Sequence, residues 1–138
     1  MENKVDENMK VLSIRQPWVE IILSGDKNVE NRVWETKYRG AVLLHASKTV
    51  DREDFDYYQK EYGLDYKTMP VGAILGIADI VDCTLDVRSK WHVEGQYGWY
   101  LENVRRFSRP LPYKGALRLF DVDDELVRDA IASSVIVR

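Results

Sequence analysis

Lys27, Glu30 and Arg32 fall within one octet, Gly25-Asp26-Lys27-Asn28-Val29-Glu30-Asn31-Arg32, and bring an ammonium, a carboxylate and a guanidinium within six positions. Such a cluster costs desolvation if buried without partners and adds little stability if exposed. A ligand would give it a purpose. The ammonium of Lys27 can contact a phosphate, or serve as base or nucleophile if desolvation lowers its pKa. Arg32 can grip a phosphate or the face of a base, while Glu30 can accept hydrogen bonds from a base's amino edge. The alternative is a structural salt bridge pinning a strand to a helix. Lys37, Tyr38 and Arg39 follow closely, and an aromatic ring between cations suits stacking plus phosphate contact on a single strand. Trp34 alternates onto the face of Glu30 and Arg32, either as a stacking platform or as core. Gln16 and Trp18 would form the opposite wall of a cleft, with core burial as the other reading for Trp18. Ser47 and Lys48 close a strand near the same opening, and Arg105, Arg106 and Arg109 are a second basic cluster.

These side chains need a frame. Lys10 to Arg15 reads as a short strand, and Pro17 opens a helix at its first position, where the missing N–H is harmless. Trp18, Ile21 and Ile22 recur at helical spacing until Gly25 stops the helix. Asn28 to Trp34 alternates as a strand does. Ala41 to Ala46 is a buried strand, Asp51 to Tyr62 an amphipathic helix ended by Gly63, and Val71 to Cys83 a long strand bent at Gly72 and Gly76. Thr84 to Gln96 is a loop. Tyr97 to Phe107 and Gly115 to Val122 are strands joined through Ser108 to Pro112, and Asp123 to Ile131 is a helix capped by Asp123 or Asp124, with a final apolar strand after it. The expected fold is α+β: a small mixed β-barrel of about six strands with two or three short helices. Residues 1–9 form a polar lead-in and residues 10–138 a single domain.

The chain has 138 residues and a net charge of −3. That charge argues against coating nucleic acid nonspecifically, which needs a strong positive field, but leaves room for a local basic cleft. Cys83 is the only cysteine, so no internal disulfide is expected. No run approaches the roughly 18 apolar residues of a membrane span. A cytoplasmic monomer is expected. His45, Cys83 and His92 are too scattered for a zinc site, and Gly72-x-x-x-Gly76 lacks the Lys and Ser or Thr of a phosphate loop, so no metal or cofactor is expected.

Together, Ser13-Ile14-Arg15-Gln16-Pro17-Trp18, the Gly25-x-Lys27-x-x-Glu30-x-Arg32 element, Tyr38-Arg39-Gly40 and His45-Ala46-Ser47 resemble the ASCH domain, which has a PUA-like β-barrel. The resemblance spans residues 10 to 122. It implies a cleft lined by Lys27, Glu30 and Arg32 and suited to RNA or a modified nucleotide. Some relatives are amidohydrolases acting on acetylated cytidine, and others have been described as ribonucleases. The amidohydrolases carry threonine three positions after the lysine, where this chain has Glu30, so only Lys27 transfers. The resemblance thus implies an RNA- or nucleotide-binding module, with an amidohydrolase or ribonuclease using Lys27 and Glu30 as the alternative. A third reading is a protein-interaction module presenting exposed Trp and Tyr.

Overall fold

A computed structural model describes residues 9–136. The polar lead-in expected over residues 1–9 lies, apart from Met9, outside them. The chain runs β1 (Met9–Gln16), α1 (Trp18–Leu23), β2 (Val29–Arg32), β3 (Gly40–Val50), α2 (Arg52–Tyr62), β4 (Ala73–Thr84), β5 (Tyr97–Pro112), β6 (Leu119–Val122), α3 (Asp124–Ala132) and β7 (Val135–Ile136). No helix among the described residues is long and apolar enough to cross a membrane.

The seven strands form one sheet in the order β2-β5-β4-β3-β1-β6, with β7 paired to β5. Among the described residues only β1 and β3 run parallel; the other pairs are antiparallel. Register shifts at Ile74/Gly76, Ile77/Asp79 and Ile80/Asp82 interrupt the β4–β5 ladder. Each adds local twist and bends the sheet. The ends, β2 and β6, do not pair, so the expected barrel is approximate: a curled sheet that does not close.

Alternation along the strands splits the core into two layers. Leu12, Ile14 and Leu44 point to one face, where they pack with Val19, Ile22 and Leu23 of α1 and with Trp99. Val11 and Leu43 point to the other, with Ile74, Phe107 and Val127 of α3. Both faces of the central strands are therefore buried, which explains their continuous apolar runs. Gly76 makes the inner layer possible. A Cβ there would lie 2.7 Å from Leu23 Cδ2 and 2.4 Å from the Arg105 carbonyl oxygen.

Some boundaries differ from the sequence reading. Helix α1 starts at Trp18, with Pro17 as the residue before it and its carbonyl accepting from Ile21 N–H at 3.1 Å. Strand β5 continues to Pro112, through the segment expected to be a connection. Beyond Arg106 it is paired on the β4 side alone, so prolines at 110 and 112 cost the sheet little. Strand β6 begins only at Leu119, leaving residues 113–118 as a strap. The caps follow expectation: Gly63 ends α2 at φ 62°, and Asp123 Oδ1 accepts from Glu125 N–H at 3.0 Å.

Candidate functional site

The turn from α1 into β2 sets the position of Lys27. Gly25 takes φ 94°, in the left-handed region, and its N–H bonds the Ile22 carbonyl at 3.0 Å. Lys27 N–H then reaches back to Ile21 at 3.3 Å. This folds the lysine side chain inward, leaving it 4% exposed. Its Nζ donates to the Val29 carbonyl at 2.6 Å, stands 3.9 Å from Glu30 Oε1, and lies 5.1 Å and 5.7 Å from the ring centres of Trp18 and Trp91. Burial pushes the Lys27 pKa down; Glu30 opposes that shift and Arg32 adds to it.

Antiparallel pairing with β5 places Glu30 opposite Trp99 and Arg32 opposite Tyr97. Glu30 Oε2 accepts from Arg32, 3.2 Å from Nε and 3.1 Å from Nη2. Nη2 also donates to the Ser13 carbonyl at 2.8 Å. Arg32 thus ties the edge strand β2 to β1 across the mouth of the curled sheet. Trp34, just past β2, meets Trp99 edge-on at 4.7 Å and carries the Arg118 guanidinium 4.2 Å above its ring.

Lys27, Glu30, Arg32, Trp34 and Ser47 all line one open cleft of about 1790 Å³. Gln16, Tyr38 and Arg39 do not. Gln16 is fully buried behind α1, where its Nε2 donates to the Pro70 carbonyl at 2.9 Å and its Oε1 accepts from Glu20 N–H at 3.1 Å. Tyr38 packs on the core and donates its hydroxyl to the Ala41 carbonyl at 2.6 Å. Arg39 turns to the Thr36 and Tyr38 carbonyls and to Asp82, 3.8 Å away. Of the second basic cluster, Arg106 pairs with Glu20 at 2.9 Å and borders, with Arg109, a separate hollow of about 340 Å³.

Sequence spacing missed much of the wall. Trp91, from the 85–96 loop, packs with Trp18 and with Tyr58 of α2, at centroid distances of 6.5 Å and 5.8 Å, and all three line the cleft. Asn31 fixes that loop: its Nδ2 donates to the Trp91 carbonyl at 2.8 Å and its Oδ1 accepts from Val93 N–H at 2.9 Å. Trp18 therefore serves both core and cleft. On the floor, Ser13 and His45 stand opposite each other on β1 and β3. Ser13 Oγ is 2.6 Å from His45 Nδ1, and His45 Nε2 is 2.7 Å from the Tyr113 carbonyl. Burial lowers the His45 pKa, partly offset by the bond to Tyr113.

Charge is distributed unevenly. Among the described residues, Lys27 and Arg32 are joined around the cleft by Arg15, Lys48, Lys90, Lys114 and Arg118, giving seven cations against three carboxylates, Glu30, Asp51 and Asp54. Lys48, Lys90, Lys114 and Arg118 have no carboxylate partner among the described residues. No group of three His, Cys, Asp or Glu side chains converges to hold a metal among them.

A curled, mixed seven-stranded sheet holding a short helix against its inner face, with a cleft at its open side, defines a PUA-like α+β domain. The chain belongs to the ASCH domain family, whose profile matches residues 12–111. It is similar to activating signal cointegrator 1 of Homo sapiens, at 26% identity over 86% of this chain, and to the Mus musculus protein of the same name at 25% over the same share. The chain spans 23% of the length of either relative. Its backbone resembles the crystal structure of a mutant ZmASCH protein from Zymomonas mobilis, with a TM-score of 0.60 and 13% identity over 93% of this chain and 99% of that one. That likeness carries the fold alone.

Proposed function

We propose that this ASCH domain binds RNA or a nucleotide-like ligand in the cleft beside β2. The supporting observation is the local charge: seven cations face three carboxylates there, in a chain whose net charge is −3. Clefts that concentrate one sign of charge attract ligands of the other. Aromatic faces among those cations suit bases, because stacking is sequence-tolerant and the cations follow the phosphates. In this reading Lys48, Lys90, Lys114 and Arg118, without a carboxylate partner among the described residues, contact phosphate, Trp34 and Trp91 offer stacking faces, and Glu30 accepts from a base's amino edge. Lys27 and Arg32 fix Glu30 and supply positive field from below. Ser47 borders the phosphate path. Gln16, Tyr38 and Arg39 support the walls rather than touch the ligand.

Fluorescence anisotropy with a short single-stranded RNA at about 50 mM salt, where phosphate contacts are strongest, tests the reading. Saturable binding that weakens in Lys27→Ala is expected; no binding at that salt would remove it. One observation favours a second reading, a hydrolase acting on an acetylated nucleoside such as 4-acetylcytidine: burial lowers the Lys27 pKa, as a catalytic lysine requires. Turnover of 4-acetylcytidine that disappears in Lys27→Ala would establish it, and equal rates in the two proteins would exclude it.

A further inference from the structure

The Ser13–His45 pair on the cleft floor has a defined proton arrangement. The Tyr113 carbonyl can only accept, so His45 Nε2 bears the hydrogen in their 2.7 Å bond. Nδ1 is then the lone-pair nitrogen of a neutral ring, and Ser13 must be the donor in the 2.6 Å contact with it. A hydroxyl bonded to a base, with that base oriented by a third group, is the arrangement that activates a nucleophile. The register of β1 against β3 builds it, since Ser13 and His45 are direct partners. His45 is 1% exposed, whereas Ser13 is part-buried and lines the cleft. Gly115 in the strap closes over both: a Cβ there would fall 2.7 Å from Ser13 Oγ and 2.8 Å from His45 Cε1. Arg32, bonded to the Ser13 carbonyl at 2.8 Å, brings a guanidinium beside the serine.

We infer that Ser13 is a nucleophile activated by His45, acting on a carboxylic ester of an anionic carrier. Ser13 Oγ attacks the ester carbonyl carbon and its proton passes to His45 Nδ1, with the Arg32 guanidinium, bonded to the Ser13 carbonyl, as the neighbouring cation. Collapse breaks the bond to the alcohol oxygen, which leaves with the proton from His45. Water then attacks the acyl-serine carbon, gives a proton to His45, and the proton returns to Ser13 Oγ as the acid departs. The third member is a neutral carbonyl rather than a carboxylate, so it stabilises the imidazolium less than a full triad does. That restricts the pair to esters, whose leaving groups are better than those of amides. The anionic carrier rests on the same cationic cleft as the nucleic-acid reading; the nucleophile does not.

The test is labelling of the full chain with a fluorophosphonate, followed by peptide mass spectrometry. Attack of Ser13 Oγ on phosphorus expels fluoride, so the expected result is one adduct on Ser13 that is absent from the heat-denatured chain. Loss of the base should slow labelling in His45→Gln on the order of 100-fold, the lower end of what a positioned base contributes. Because a buried histidine variant can misfold, Ser13→Cys provides the second measurement: its thiol should react with iodoacetamide faster in the folded than in the denatured chain. An unlabelled Ser13, a Ser13 labelled equally after denaturation, or no rate advantage for Ser13→Cys would each overturn the inference. The probe carries no nucleotide, so failed RNA binding and failed labelling are separate results.

Discussion

The charge excess of the cleft sets the salt dependence of ligand binding. Single-stranded nucleic acid loses about 0.7 in the slope of log K against log salt for each phosphate neutralised. Among the described residues, seven cations less three carboxylates leave four uncompensated charges around the cleft, so a slope of about −3 follows. Affinity for a short RNA should then fall about 50-fold between about 50 and 200 mM salt. Replacing Lys48 and Lys114 together is the informative perturbation. Both are exposed, and neither has a carboxylate partner among the described residues, so the fold should tolerate their loss. The Lys48→Ala/Lys114→Ala chain should show a slope near −1.4, with only about a 7-fold loss over the same interval. Fluorescence anisotropy across a salt series reads this directly. A double variant that keeps the wild-type slope would refute the idea that the strap and the end of β3 track a phosphate backbone.

Trp91→Ala should weaken RNA binding by about 1–3 kcal/mol, as loss of a stacking face does, with unchanged circular dichroism; equal affinity would remove Trp91 from the contact surface. Gly76→Ala should destabilise the fold by about 1–3 kcal/mol in chemical denaturation, because its Cβ would meet the Arg105 carbonyl at 2.4 Å. A change below about 0.5 kcal/mol, the scale of an ordinary surface substitution, would contradict the tight packing of α1 against β4. His45 is neutral when folded and its pKa lies below 6.5, so the unfolded chain binds more protons in that window. Its contribution to stability is therefore present above pH 6.5 and lost as pH falls toward the folded value. Urea midpoints should drop more between pH 7 and 5 for the wild type than for His45→Gln, and parallel curves would refute the assignment.

Much of this molecule is legible along the chain because its signals are local. Gly25 and Gly63 stop helices, alternation marks β2 although the strand ends at Arg32 rather than Trp34, and the span from Lys27 to Arg32 reads as a charged cluster because its members are near neighbours in sequence. The same locality misleads over Tyr38 and Arg39. They follow Trp34 closely, yet the chain turns after β2 and directs them to Ala41 and Asp82. Gln16 looks polar and available, but it is spent on the Pro70 carbonyl and the Glu20 amide. The missed wall is non-local. Trp91 reaches Trp18 only through a loop clamped by Asn31, 60 residues away, and Ser13 finds His45 only through a parallel strand pairing 32 residues apart. An isolated histidine and an ordinary serine carry no pattern that announces such a contact. A strand register does, once the sheet order is known.

In the proposed function, ligand binds on the cleft side of β2, among Lys27, Arg32, Trp34 and Trp91. Amide and indole chemical-shift mapping during titration with a short single-stranded RNA locates that surface. The largest changes should fall on Trp34, Trp91, Lys48 and the 113–118 strap, with the Arg39–Asp82 side and the Arg106–Arg109 hollow unmoved. Changes concentrated on either of those other surfaces, with the cleft silent, would contradict it.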